Sequence, residues 1–197
     1  HPNSMTAAVA VEAAGQQVQV RAAQPERVDA AIARAFHYAA WADKFDGAVH
    51  QTKSAHVTLA MHEPLGVMGI ACPTPFPLLG FVSLVLPAVA MGNRVVAIPS
   101  QTHPLAATDL YQVLETSDVP GGVINIVTGE RDELVTTLAD HDGVDGLWYF
   151  GSRDGIAMVE QRSAGNLKQT WTKPEGHGRA FLHRATQVKN VWVPYGE

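Results

Sequence analysis

Apolar side chains recur along this chain in two rhythms, one helical and one strand-like, and their alternation predicts a layered α/β domain. The first twenty or so residues are weakly patterned and read either as a frayed arm or as an edge strand at Val18–Val20. Pro25 suits the first turn of a helix, where its missing N–H costs nothing. Val28, Ile32, Ala35, Phe36 and Ala39 follow at helical spacing, with Gly47 as a stop. Val57, Leu59 and Met61 then alternate with polar residues, the pattern of a half-exposed strand.

From Pro64 the rhythm changes. Leu65–Ala71 is a continuous apolar run, and Cys72–Pro77 is a proline-rich turn. Leu78–Met91 is apolar on every side, as a core helix is. Pro87 predicts a kink there, or a helix that starts late. Arg94–Ile98, Val123–Val127 and Gly146–Phe150 read as further buried strands. Between them lie helices expected at Leu105–Leu114, capped by Thr102, and at Glu130–Leu138, and another at Arg153–Gln161 opened by Gly151 and Ser152. Strand and helix repeated four times, with strands apolar on both sides, predict a doubly wound, Rossmann-like parallel sheet. Leu167–Thr172 reads as a fifth strand, Lys173–Gly178 as loop, and Val188–Val193 as a last strand ending at Pro194. In such a sheet ligands bind at the carboxyl ends of the strands, here Cys72–Pro77, Ile98–Gln101, Thr128–Gly129 and Phe150–Gly155.

Composition narrows the function classes. The chain has 197 residues, 46% of them hydrophobic and 17% charged, with a net charge of −5. That apolar share argues for a packed core, and the mild acidity without Lys/Arg runs argues against a nucleic-acid surface. Residues 64–93 carry no charge, but Pro73, Pro75, Pro77 and Pro87 punctuate them, so no membrane span is expected. Cys72 is the only cysteine, which excludes an intramolecular disulfide and fits a cytoplasmic setting. It reads as a small buried apolar residue. His1–Met5 reads as a tag remnant. The histidines are scattered. His56 and His62 share a strand face, but no third ligand completes a set, and no metal is expected. Trp171 and Trp192 lie near presumed edge strands and are expected to pack at an interface.

The run from Glu63, "EPLGVMGIACPTPFPLLGFVSLVLPAVAMGNRVVAIPSQTHPLAATDLYQVLETSDVPGGVINIVTG", resembles the cofactor domain of the aldehyde dehydrogenase superfamily. "HYAAWADKFDG" is similar to that family's N-terminal helix leading to its oligomerisation flap. "RATQVKNVWVPYGE" is similar to the C-terminus of a branch carrying a second, degenerate dehydrogenase-like domain. The resemblance implies a division into a tag remnant (1–5), an N-terminal helix and flap strand (6–62), a Rossmann-like domain (63–172), and a loop with a C-terminal oligomerisation strand (173–197).

It also lets each chemical position be checked. The family's Pro-Trp-Asn-Phe-Pro turn, whose Asn holds the oxyanion, reads Pro73-Thr74-Pro75-Phe76-Pro77 here. Pro75 has no side-chain donor and no N–H. The family's Lys-Pro-Ser-Glu, which engages the adenosine ribose, reads Ile98-Pro99-Ser100-Gln101. Its pyrophosphate-contacting Gly-Ser survives as Gly151-Ser152, although the same pair also suits a tight turn and a helix cap. Aligned through Leu167-Lys168, the general base falls on Lys173, with Glu175 out of register. The family's catalytic cysteine domain follows that point, whereas here only residues 176–197 do.

These departures imply a non-catalytic, pseudoenzyme-like domain serving assembly of a larger aldehyde dehydrogenase, and no cofactor is expected. The expected partners are a second copy of the chain and a catalytic dehydrogenase module. Val57, Leu59, Met61, Val191, Trp192 and Val193 are the expected oligomerisation residues. The alternative is the cofactor-binding part of an active NAD-dependent oxidoreductase acting on aldehydes. Ser100, Gly151 and Ser152 would then touch NAD. A third reading keeps nucleotide binding without turnover, as a sensor or the wall of a substrate tunnel.

Overall fold

The computed structural model describes residues 8–13, 16–21, 25–53, 55–173 and 178–195. The expected tag remnant lies outside them. In chain order the elements are β1 (Ala8–Ala13), β2 (Gln16–Arg21), α1 (Pro25–Trp41), β3 (Ala48–Gln51), β4 (His56–Pro64), β5 (Val67–Ala71) and α2 (Pro77–Ala90). They continue as β6 (Arg94–Ile98), α3 (Leu105–Thr108), α4 (Leu110–Thr116), β7 (Ile124–Ile126), α5 (Arg131–Asp140), β8 (Gly146–Tyr149), α6 (Arg153–Ser163), β9 (Gln169–Trp171), α7 (Arg179–Arg184) and β10 (Thr186–Pro194).

The continuous apolar runs become a five-stranded sheet in the order β7-β6-β5-β8-β9, with every pair parallel. Alternate residues of each strand face opposite layers. Met68, Ile70 and Cys72, with Trp148 and Trp171, pack under Phe81, Leu84, Val85 and Ala88 of α2. Ala71, Leu147 and Tyr149 turn the other way, against Val135 and Ala139 of α5 and Val159 of α6. Covering both faces is what makes these strands read as unbroken apolar stretches. The strand order reverses between β5 and β8, so their carboxyl ends flank the switch point.

A second sheet is antiparallel, in the order β10-β4-β3. β10 pairs with β4 along its whole length, setting Val57 opposite Val193, Leu59 opposite Val191 and Met61 opposite Lys189. β3, which the apolar pattern does not announce, adds Val49 opposite Leu59. A third sheet is the β1–β2 hairpin, and it contains the expected edge strand at Val18–Val20.

Several local expectations change. α2 begins at Pro77 and runs through the buried Pro87, so it does not start late. The Leu105–Leu114 helix is split at Asp109 into α3 and α4. Thr102 does not cap it: its hydroxyl lies 2.8 Å from His103 Nδ1, and α3 has no side-chain cap. The stretch after Lys173 holds α7. Its Phe181 stands in edge-to-face contact with Trp171 at 5.1 Å. Trp171 is therefore buried in the core, stacked edge-on against Trp148 and Phe150, and not at an interface as expected. Sequence reading misses this because its partners arrive from a helix that the apolar period does not reveal.

Asn93, 1% exposed, joins these parts. Its Oδ1 accepts from Gly66 N at 3.0 Å, ahead of β5. Its Nδ2 donates to Ala88 O in α2 at 2.9 Å and to Ala185 O after α7 at 2.8 Å. Replacing it by Ala removes the side-chain partners of the Gly66 N–H and the Ala185 carbonyl, while Ala88 O keeps the Asn93 N–H. Asn93→Ala is expected to lower stability by about 2–4 kcal/mol. Urea unfolding should show an earlier midpoint, while Asn190→Ala on the exposed strand should leave the midpoint nearly unchanged.

Candidate functional site

The switch-point crevice is built from four strand ends. After β5 the chain enters Cys72–Phe76 with Phe76 at a left-handed φ of 61°, and Pro77 then opens α2. Cys72 lies beneath this turn, fully buried, and burial pushes its thiol pKa up to about 12. A thiol held neutral in an apolar layer is no nucleophile.

After β6, Ile98 is buried in the layer against α5 and α6 rather than turned to the crevice. Ser100 is also fully buried, its hydroxyl 3.4 Å from both Thr74 O and Thr102 Oγ1. Gln101 donates to Glu130 Oε2 at 2.8 Å and accepts from Arg131 N at 3.3 Å, which ties the β6 end to the start of α5. Pro99, Ser100, Gln101, Thr128, Gly129 and Glu130 line a hollow of about 440 Å³ at this end of the sheet.

After β8, Ser152 caps α6, accepting a hydrogen bond from Gly155 N at 3.1 Å. Gly151 does not adopt a positive φ, so a tight left-handed turn is not what requires it. A Cβ at Gly151 or at Gly155 would overlap the Tyr149 hydroxyl. The two glycines leave room for a buried phenol tucked beneath the α6 N-terminus.

Arg131 completes the crevice. Its Nη2 donates to Phe150 O at 3.2 Å and approaches Ala71 O at 3.5 Å, the ends of β8 and β5 respectively. The guanidinium lies 4.8 Å above the Tyr149 ring. Its Nε is buried without a hydrogen-bond partner. Sequence reasoning missed Arg131 and Tyr149, because a charged residue opening a helix reads as solvated and a strand tyrosine reads as core.

Other candidates are dispersed. His56 and His62 sit six residues apart on β4, roughly 20 Å in extended chain, too far to share an ion. His62 faces His183 instead, with ring centroids 5.7 Å apart. Burial, His62 and the Arg179 charge together hold the His183 pKa below its usual range. Among the described residues no three His, Cys, Asp or Glu side chains gather as a metal site. Lys173, where the general base would fall, is exposed, and Glu175 lies outside the described residues.

The expected oligomerisation residues come together on the three-stranded sheet. Val57, Leu59 and Met61 of β4 share one face with Val191 and Val193 of β10 and Val49 of β3. Trp192, opposite Thr58, belongs to the other face, as does Val188. That face has an open apolar centre, with Val49 71% exposed and Val57, Met61 and Val193 at 38%, 46% and 46%, bordered by Gln51 and the Lys189–Glu63 ion pair. Thr58, on the opposite face, is buried.

A family model described as the aldehyde dehydrogenase family matches residues 5–192. Among curated relatives, an aldehyde dehydrogenase of Agaricus bisporus is 34% identical over 163 residues, covering 81% of this chain and 33% of that protein. Human retinal dehydrogenase 2 is 36% identical over 135 residues, covering 68% and 26%. A putative aldehyde dehydrogenase structure from Burkholderia cenocepacia superposes with a TM-score of 0.73 at 30% identity, covering 77% of this chain and 31% of that one. A point mutant of Staphylococcus aureus betaine aldehyde dehydrogenase, solved in complex with NAD+, gives 0.70 at 25%, covering 74% and 29%. The chain thus spans about a quarter to a third of the length of the relatives it matches.

The buried thiol makes a direct prediction. In the folded protein Cys72 should resist iodoacetamide at pH 8 and react fully once guanidinium unfolds the chain. Mass spectrometry reads both states. Rapid labelling of the native protein would show that the turn opens in solution.

Proposed function

This chain belongs to the aldehyde dehydrogenase family, and we propose that within it this domain serves assembly rather than turnover. The observation that carries the reading is the outward apolar face of the β10-β4-β3 sheet. Val49, Val57, Met61 and Val193 stand open to solvent around the half-buried Leu59 and Val191. A contiguous apolar surface of this kind favours association. Each aliphatic side chain withdrawn from water contributes about 1.5–3 kcal/mol at full burial. The partners are a second copy of the chain and a catalytic dehydrogenase module, in the cytoplasm. Support for the absence of turnover comes from the chemistry. Pro75 offers no donor for an oxyanion, Lys173 stands where a general base is needed, and the Cys72 thiol is buried and neutral.

Members of this family work with NAD, which supplies a hydride acceptor to the aldehyde carbon. The residues present here do not suit it. Ile98 cannot donate to a ribose, the Ser152 hydroxyl is engaged in capping, Arg131 lies across the β5 and β8 ends, and the Tyr149 hydroxyl fills the space beside Gly151 and Gly155. A second reading, nucleotide binding without turnover or as the cofactor half of an active oxidoreductase, has one observation in its favour. It is the hollow at the β6 and β7 ends, where Ser100, Gln101, Thr128 and Glu130 supply polar groups.

Light scattering across a concentration series should show a defined oligomer. Leu59→Glu should shift it to monomer with far-UV circular dichroism unchanged, because a carboxylate buried against apolar partners costs several kcal/mol. A clean monomer for the unaltered chain at every concentration would sink the assembly reading. Saturation by micromolar NAD+ would favour the second.

A further inference from the structure

We propose that Arg131 closes the switch-point crevice from within, occupying the place between the β5 and β8 ends that a dinucleotide's pyrophosphate would need. This rests on the reading that the domain has given up its cofactor, and it names the residue responsible.

Three observations converge on it. The guanidinium bridges the ends of the two paired strands at which the strand order reverses, donating to Phe150 O at 3.2 Å and lying 3.5 Å from Ala71 O. In a doubly wound sheet that reversal is where ligands enter. The side chain is also held in place. It lies over the Tyr149 ring at 4.8 Å, a cation–π contact that favours this position of the guanidinium. Leaving would strip hydrogen bonds from carbonyl oxygens at two strand ends. Finally, the turn that would cradle phosphate is filled from below, since the Tyr149 hydroxyl takes the space that Gly151 and Gly155 leave open.

The electrostatics agree. The two helix N-termini facing the crevice would normally draw an anion. Here the first turn of α5 carries Asp132 and Glu133, and that of α6 carries Asp154. Those carboxylates offset the partial positive charge of both termini, so little is left to pull a pyrophosphate past Arg131. An arginine placed to receive phosphate leaves its donors free. Arg131 instead spends donors on main-chain carbonyls.

The two roles, gate and phosphate ligand, predict opposite outcomes for one substitution. NAD+ binding is measured by saturation-transfer NMR on the full chain for the parent, Arg131→Gly and Arg131→Ala. Circular dichroism and oligomeric state confirm that each variant is folded, and the two variants guard against one failing to fold. If Arg131 is the gate, removing it tightens NAD+ binding by roughly tenfold or more. Weaker or unchanged binding in both folded variants overturns the gate. Tight, saturable binding by the parent itself would overturn the loss of cofactor, whatever the variants do.

Discussion

The amide of Asn93 has both kinds of hydrogen-bonding group engaged in the interior. It accepts from the peptide ahead of β5 and donates to the end of α2 and to the residue after α7. Those segments are the start of the parallel sheet, the helix that covers it, and the returning chain that becomes β10. Because an unpaired buried amide is costly, the three are fixed relative to one another as one unit. With Ala185 anchored, Thr186 begins a strand that pairs with β4 in continuous register from Thr186 opposite Pro64 to Pro194 opposite His56. The apolar face proposed for assembly is thus tied to the core through the buried Asn93 amide.

The same economy appears at the other end of the sheet. A crevice at the divergence of two strands leaves main-chain carbonyls and helix N–H groups in need of partners. In this chain they are met internally: Arg131 serves the carbonyls, Ser152 serves the α6 terminus, and the Tyr149 hydroxyl occupies the space above two glycines. α7 in turn lays Phe181 against Trp148 and Trp171, so an aromatic cluster at the sheet edge has its own cover. Arg131 thus lies across the β5 and β8 ends, while the second sheet leaves Val49, Val57, Met61 and Val193 open to solvent.

Much of this was legible in the chain. The central strands announce themselves because burial on both faces demands apolar runs such as Val95–Ile98 and Gly146–Tyr149. The Ser152 cap was legible because a serine just ahead of a helix can accept from the first turn's N–H, one of the two uses the sequence allows it. What escaped depends on distant partners. β3 is four residues long and becomes a strand only through pairing with β4. α7 is a helix of six residues, too short to show a period, and it carries the partner that buries Trp171. Arg131 reaches carbonyls 60 and 19 residues away, which no local pattern reveals. Gly151 invites the assumption of a tight turn, and only the packed phenol shows that clearance is its role.

Amide hydrogen exchange, followed by mass spectrometry over a protein concentration series with and without millimolar NAD+, addresses both ends of the domain in one measurement. Protection of Val57–Met61 and Val191–Val193 is expected to rise with protein concentration, while residues 150–155 are expected to be indifferent to NAD+. Protection of residues 150–155 by NAD+, with no concentration dependence on β4 and β10, would contradict both expectations.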